Sequence, residues 1–176
     1  MKAEEIRALQ APLKARYRDE PQAAVVTLSA EGRLSEGLSC SVATGQALVK
    51  AGLHPATGGT GEFACSGDLL LQALVACAGV TLNAVATALG IELRSGTLRA
   101  EGDLDFRGTL GVSREAPVGF GAIRLAVQVD ADATPEQLSK LVELTERYCV
   151  VLQTLRTSPA LSVTLKPEAL PDGTPA

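Results

Sequence analysis

The longest apolar segment of the chain lies near its middle and predicts a buried helix. Residues 69–91 form 23 consecutive positions without a charge, and acidic residues, Asp68 and Glu92, stand at the two ends. The length would suit a membrane span, but such spans usually carry Lys or Arg at their ends. We therefore expect no membrane association and a central helix of a compact domain, buried on nearly all sides.

The flanking residues give the expected bounds of this helix. Ser66 is a candidate N-cap, and Asp68 falls in the first turn, where a carboxylate favours the positive end of the helix dipole. Gly90 interrupts the pattern at the other end. The sequence thus predicts a helix over residues 67–89, preceded by a loop rich in turn-forming residues.

Alternating apolar and polar positions predict strands on both sides of the central helix. Glu31-Gly32-Arg33 is a tight-turn candidate between the first two strands. The expected strands cover residues 22–30, 38–43, 93–106, 122–129 and 160–166.

A second helix is predicted after the fourth strand. Thr134 and Pro135 form a typical helix start, with Thr as N-cap and Pro in the first helical position. Leucines at helical spacing continue the pattern to about Leu155, with a break expected near Cys149.

These elements predict an α+β domain with antiparallel sheet. We expect one domain over residues 1–176, with an N-terminal helical extension at 1–20 and a flexible tail at 167–176. A sheet of this size covers only one face of the apolar helix. A homodimer in which the partner covers the rest is therefore expected.

Composition narrows the possible partners. Sixteen Lys and Arg against 20 Asp and Glu give a net charge of −4, and only 3% of residues are aromatic. The chain therefore has no excess of positive charge to attract phosphates and few aromatic rings to stack on bases, which argues against nucleic-acid binding. The charged N-terminus has no apolar leader, so we expect a cytoplasmic protein.

Four cysteines are the main candidates for chemistry. No two form a C-x-x-C pair and the chain has a single His, so neither a structural metal nor another cofactor is expected. Disulfides are unusual in a cytoplasmic chain of this length. Cys40 and Cys65 are interpreted as small buried hydrophobes.

Cys77 and Cys149 have more distinctive settings. Cys77 lies in the central helix among small residues that leave room for another group to approach its sulfur. Cys149 lies two residues after Arg147 and is the first residue of an apolar stretch. If a helix restarts there, its first amides and Arg147 would both favour a thiolate. Spacing alone does not predict that the two sulfurs meet.

Two segments resemble a known family. SGDLLLQALVACAGVTL is similar to the first-cysteine helix of the OsmC/Ohr family of thiol-dependent hydroperoxide reductases, and ERYCVVLQTL is similar to its second-cysteine segment. The order of elements matches as well, and GDLDFRGTLGV resembles the broader OsmC-like group. The resemblance implies an intertwined homodimer, with antiparallel sheets from both chains wrapped around central apolar helices.

The resemblance also implies roles for four residues. Cys77 takes the peroxidatic role and Cys149 the resolving role. Arg33, which follows a glycine in the first turn, matches the catalytic Arg and would reach the site from the partner chain. The peroxidase branch has a Glu ten residues before the first cysteine, where this chain has Gly67. Asp68, the next residue, is the candidate replacement.

The implied function is that of a thiol-dependent peroxidase. An organic hydroperoxide would oxidise Cys77 to a sulfenic acid, Cys149 would condense with it, and an external dithiol would reduce the resulting disulfide. Val150 replaces the usual Pro after the second cysteine. Together with Gly67, this departure favours the alternative of a non-catalytic dimer that binds an apolar small molecule or acts in stress response.

Overall fold

The computed structural model describes residues 31–35, 39–44, 47–111 and 113–165, together with the isolated positions 4, 5, 8, 11 and 19. The strand predicted at 22–30 and the tail at 167–176 lie outside the described residues. So does the N-terminal extension, apart from those isolated positions.

A four-stranded sheet comes first, in the order β1-β2-β3-β4. The first three strands are antiparallel and the short fourth strand runs parallel to the third. The tight turn predicted at residues 31–33 is wrong, because these residues pair with β2 and place Arg33 opposite Ser41. The strands are β1 (Glu31–Ser35), β2 (Ser39–Thr44), β3 (Ala47–Gly52) and β4 (Ala64–Cys65).

The central helix, α1 (Ser66–Leu89), confirms the main prediction from the sequence. Gly90 ends it with a φ of 71°, in the left-handed region that favours glycine, and its N–H donates to Ala86 and Thr87. The predicted cap at Ser66 is wrong. The helix begins one residue earlier because Cys65, still extended in β4, occupies the N-cap position without a side-chain hydrogen bond.

A two-stranded antiparallel sheet follows the helix and covers one side of it. β5 (Leu93–Leu104) pairs with β6 (Phe120–Ala131), and between them lies a short helix, α2 (Phe106–Thr109). Along both strands half-buried residues alternate with exposed ones. The inward-facing residues that pack near the cysteines include Leu98, Ala100, Ile123 and Leu125.

Two further helices complete the described fold. α3 (Pro135–Tyr148) begins at a capping box in which Thr134 and Gln137 bond each other's backbone N–H groups, as the predicted helix start requires. The break expected near Cys149 is confirmed. Cys149 is extended, with a ψ of 107°, and separates α3 from α4 (Val150–Arg156).

Within one chain, α1 is buried on one side only. Its fully buried positions, Leu74, Ala78 and Leu82, face the β5-β6 sheet, α3 and α4, whereas Val80 is 73% exposed. The sequence predicts burial of α1 on nearly all sides, which the described residues of one chain therefore do not provide. By length and composition α1 could also cross a membrane, a property that core helices share.

The last predicted strand does not form within the chain. Residues 160–165 make no strand ladder, and the side chains of Leu161, Val163 and Leu165 are 83–99% exposed. An extended segment becomes a strand only when a neighbour supplies hydrogen bonds. No strand in the described part of the chain does so here.

We expect Leu141→Ala to lower the free energy of unfolding by about 2 to 5 kcal/mol, because it leaves a cavity between α3 and α1. Leu141 is 1% exposed and belongs to the main core cluster. Urea denaturation measures the change. Val118→Ala, at a position 68% exposed, serves as control and should change stability by less than about 0.5 kcal/mol. Equal losses in the two variants would contradict this description of the core.

Candidate active site

The structure brings Cys77 and Cys149 together. Cys77 lies in the middle of α1, and Cys149 lies at the break between α3 and α4, which both pack against α1. Both thiols are free, and the Cys149 thiol donates a hydrogen bond to the Cys77 sulfur. The sequence singled out these two residues, but only the packing of α4 on α1 places them side by side.

The helix break supplies hydrogen bonds to the Cys77 sulfur. The first N–H groups of a helix have no acceptor within that helix. Here Cys149 is extended, so α4 starts afresh and the N–H groups of Val150 and Val151 donate to Cys77. The sequence predicted that the first amides of a restarted helix would favour a thiolate at Cys149. These amides are present, but they donate to the sulfur of Cys77.

These contacts favour the thiolate form of Cys77. Burial raises the pKa of its thiol, but the N–H of Val151, the Cys149 thiol, the N–H of Val150 and the Thr81 hydroxyl all lower it. The hydrogen bonds outweigh burial, so the pKa of Cys77 lies below its ordinary value. The Cys77 residue is also half-buried, whereas Cys149 is buried.

Cys149 has the opposite character. Burial raises the pKa of its thiol, and the adjacent Cys77, which accepts its proton in a hydrogen bond and carries negative charge when ionised, raises it further. Its residue is 0% exposed. The thiolate expected at Cys149 from Arg147 is therefore wrong, since the Arg147 guanidinium lies over the Tyr148 ring instead, 5.6 Å from its centre.

Thr81 also lowers the pKa of Cys77, a role that the sequence did not predict. It lies one helical turn after Cys77, and its hydroxyl donates to the Cys77 carbonyl oxygen at 2.8 Å. Its effect on the pKa of Cys77 is the smallest of the named causes, in keeping with a proton already shared with that carbonyl. The spacing of four residues between Cys77 and Thr81 in a predicted helix could have suggested this contact.

No described side chain provides the positive charge that was predicted beside Cys77. Arg33 lies on β1, where the structure describes the backbone alone. Among the residues with described side chains, no Arg or Lys is a cause of the pKa shift of Cys77. Arg107 forms an ion pair with Asp105.

Asp68 does not contact the thiol pair. It lies nine residues before Cys77 on α1, about 13.5 Å along the axis and about 180° around it in a regular helix. Asp68 is exposed, and it has no ion-pair or hydrogen-bond partner within the described part of the chain. It therefore cannot act on the Cys77 sulfur directly.

Packing accounts for the glycine at position 67. A Cβ there would lie 3.3 Å from Phe120 and 3.5 Å from Leu104, tighter than ordinary contact for the aromatic ring. A larger residue would have to displace Phe120. The ring of Phe120 thus takes up space beside the position where the peroxidase branch has its Glu.

An apolar cavity of about 660 Å³ lies beside Cys149. It is bounded by one stripe of α1, by β6, and by α3 and α4. Cys149 forms part of its wall, whereas Cys77 does not. The charged residues at this cavity, Glu146 and Arg156, are joined in an ion pair at 2.7 Å.

Other groups that could carry chemistry are accounted for structurally. In the described ranges no group of three or more His, Cys, Asp or Glu side chains could hold a metal ion. Asp103 pairs with Arg124 across the exposed face of the β5-β6 sheet. Cys65 is a free, half-buried thiol at the start of α1, remote from Cys77 along the helix.

The sequence matches one family model, described as OsmC-like protein, over residues 59–164. The chain belongs to the OsmC-like family. This match includes α1, both cysteines and the β5-β6 sheet. No curated protein matches the chain in sequence.

Solved structures support the fold of this OsmC-like protein. An OsmC-like protein from Mycoplasma pneumoniae superposes with a TM-score of 0.65 at 16% identity, covering 76% of this chain and 89% of that one. An organic hydroperoxide resistance protein from Elizabethkingia anophelis gives 0.61 at 19% identity, with 77% and 91% covered. OhrB of Bacillus subtilis gives 0.51 at 20%, with 77% and 94% covered. At these identities the likeness shows the fold alone.

We expect Cys77 to become reactive at lower pH than Cys149. Alkylation by iodoacetamide follows the thiolate fraction, so the rate at each cysteine rises with pH and levels off above its pKa. The pKa of Cys77 is lowered and that of Cys149 is raised, which places the Cys77 plateau first.

Peptide mass spectrometry of a variant with Cys40 and Cys65 replaced by Ser measures the two rates separately. The same protein unfolded in urea is the control, because there the two cysteines lose their different surroundings. Folded-state profiles in which Cys149 levels off first would contradict the hydrogen-bond geometry.

Proposed function

We propose that this OsmC-like protein is a thiol-dependent peroxidase that reduces organic hydroperoxides. The observation that carries the proposal is the pairing of a thiolate-favouring Cys77 with a protonated Cys149 at the break between α3 and α4. A peroxide needs a soft nucleophile, and the thiolate is the reactive form of cysteine.

The first step uses Cys77. Its thiolate attacks one oxygen of the hydroperoxide, the O–O bond breaks, and the leaving alkoxide takes a proton to become an alcohol. Cys77 is left as a sulfenic acid. The half-buried position of Cys77 and its apolar surroundings, including Leu98 and Ala100, favour an organic hydroperoxide.

The second step uses Cys149. Its sulfur attacks the sulfenic acid, forming the Cys77–Cys149 disulfide and releasing water. The hydrogen bond between the two thiols keeps the resolving sulfur beside its target. An external dithiol then reduces the disulfide by exchange. We place this chemistry in the cytoplasm, where both thiols stay reduced between turnovers.

A homodimer is part of the proposal. The open face of α1, with Val80 73% exposed, is mostly apolar, although it includes Gln72 and Asn83, and a second copy of the chain would cover it. In such a dimer Arg33 of the partner chain would supply the cation that steadies the alkoxide. The proposal gives Asp68 no contact with sulfur. It leaves Asp68 a positioning role through such an Arg at most.

The alternative function, binding of an apolar molecule without chemistry, has one observation in its favour. The cavity of about 660 Å³ beside Cys149 is lined mainly by Leu, Val and Ile side chains and is large enough for a small apolar ligand. The two functions differ in their dependence on Cys77, which the following substitutions exploit.

Cys77→Ser should abolish consumption of cumene hydroperoxide, because the nucleophile is lost. Cys149→Ser should allow oxidation of Cys77 once, leaving a sulfenic acid that dimedone traps and mass spectrometry detects. Cys65→Ser, at a half-buried cysteine outside the pair, is the matched control and should retain activity. A Cys77→Ser protein with undiminished peroxide consumption would rule out the peroxidase and leave the binding function.

Arg33→Met should lower the rate of Cys77 oxidation by about tenfold or more, since removal of a charge-stabilising group costs at least this much. Arg99→Met, on the exposed face of β5 in an ion pair with Glu101, is the control and should have no effect.

Mixed dimers test whether Arg33 acts across the interface. When Arg33→Met chains are refolded with Cys77→Ser chains, a mixed dimer regains one intact site only if Arg33 and Cys77 come from different chains. Peroxide consumption of the mixture should then exceed that of either variant alone. A monomeric protein by sedimentation, or no recovery on mixing, would contradict this arrangement.

A further inference from the structure

The break between α3 and α4 interrupts the ladder of helical hydrogen bonds at a defined place. The Cys149 N–H still donates to the Thr145 carbonyl oxygen at 2.9 Å, and the ladder resumes where the Gln153 N–H donates to the Cys149 carbonyl oxygen at 2.9 Å. In an uninterrupted helix each N–H donates to the carbonyl oxygen four residues earlier. The first N–H that the break releases is therefore that of Val150, and the first carbonyl oxygen that loses its helical donor is that of Glu146.

Both released groups have other partners in the structure. The N–H of Val150 donates to the Cys77 sulfur. The Glu146 carbonyl oxygen accepts a hydrogen bond from the side-chain amide of Gln153, with 2.6 Å between Nε2 and the oxygen. This contact is partly buried and joins the last turn of α3 to the first turn of α4.

The two contacts are coupled, because the Glu146 carbonyl oxygen is the acceptor that the Val150 N–H would have in a continuous helix. A carbonyl group that is withdrawn from water and left without a donor costs free energy. The Gln153 amide supplies that donor. Without it, the carbonyl oxygen would compete with the Cys77 sulfur for the same N–H.

We propose that Gln153 is a positioning residue for Cys77: its side-chain amide occupies the Glu146 carbonyl oxygen and thereby keeps the Val150 N–H on the Cys77 sulfur. This inference deepens the proposed function and rests on it, since the contact matters for catalysis only if the Cys77 thiolate is the nucleophile. Gln153 acts through the backbone of Val150 and is not itself a catalytic residue.

The charged side chains near the helix break are engaged elsewhere. The Glu146 carboxylate pairs with Arg156 at 2.7 Å, and the Arg147 guanidinium lies over the Tyr148 ring. Within the described part of the chain, no cation therefore stands ready to replace a hydrogen bond that Cys77 loses.

The first experiment removes the donor without adding a charge. Gln153→Met keeps the approximate length of the side chain and cannot donate to the Glu146 carbonyl oxygen. Gln137→Met is the matched control, because the Gln137 side chain also bonds a backbone group, the N–H of Thr134 at 2.8 Å, but at the opposite end of α3. Both substitutions are made in the protein with the other two cysteines replaced by Ser.

In Gln153→Met, the pH profile of Cys77 alkylation by iodoacetamide should move to higher pH. Loss of one hydrogen bond to the thiolate lowers its fraction about tenfold, and the higher nucleophilicity of a more basic thiolate offsets part of this loss. Below the half-point of the profile the rate should thus fall about threefold. Gln137→Met should leave the profile unchanged. A Cys77 profile that Gln153→Met does not move would overturn the proposal.

A proline at position 150 tests the competition itself. Proline has no N–H, and the backbone of Cys149, with a φ of −71° and a ψ of 107°, is already extended, as a residue before proline requires. Val150→Pro should slow Cys77 alkylation about as much as Gln153→Met does. Adding Gln153→Met to Val150→Pro should have no further effect, because no N–H is left to withdraw. Losses that add in the double variant would contradict the coupling.

A further measurement leaves the helix break unsubstituted and so does not depend on how the variants fold. In the ¹⁵N-labelled protein the amide proton of Val150 should shift as Cys77 ionises, since this N–H donates to the sulfur. A Val150 signal that ignores the ionisation of Cys77 would overturn the proposal.

These outcomes separate the role of Gln153 from the peroxidase activity, because neither alkylation nor the amide signal requires a hydroperoxide. A Cys77 profile moved by Gln153→Met in a protein that leaves cumene hydroperoxide intact would support the positioning role and contradict the peroxidase. An unmoved profile in a protein whose peroxide consumption depends on Cys77 would support the peroxidase and overturn the role of Gln153.

Discussion

Two backbone N–H groups at the start of α4 determine the chemical character of this protein. They donate to the Cys77 sulfur and, with the Cys149 thiol, lower its pKa against the effect of burial, whereas burial and the adjacent Cys77 raise the pKa of Cys149. A pair of identical thiols in identical surroundings would have no preferred nucleophile. Here burial of Cys149 provides part of the difference. The other part comes from the extended backbone of Cys149, which ends α3 and leaves the next amides without helical acceptors.

The packing around α1 makes this contact possible. Leu74 and Ala78 are fully buried against the segment that carries Cys149, and small residues around Cys77 allow α4 to come close. The same helix leaves its opposite face uncovered within the chain, with Val80 largely exposed. One apolar helix thus carries Cys77 and packs against the segment that carries Cys149, while its other face stays exposed in the described part of the chain.

Membership of the OsmC-like family does not by itself transfer the details of a site. Gly67 stands where the peroxidase branch has a Glu, and Phe120 packs within 3.3 Å of the position its Cβ would take. The described side chains provide no cation for Cys77. What the chain does provide is a set of hydrogen bonds from backbone and hydroxyl groups, which favour a thiolate without a charged neighbour.

The sequence by itself determined the central helix, its end at Gly90, the helix start at Thr134 and the break at Cys149, because caps, apolar spacing and glycine conformation are local properties. It also singled out the two cysteines. Only the tertiary structure decided which sulfur the α4 amides reach, and that residues 160–165 find no neighbouring strand in the described part of the chain. Each of these depends on contacts between segments distant in sequence, and local propensity carries no information about them.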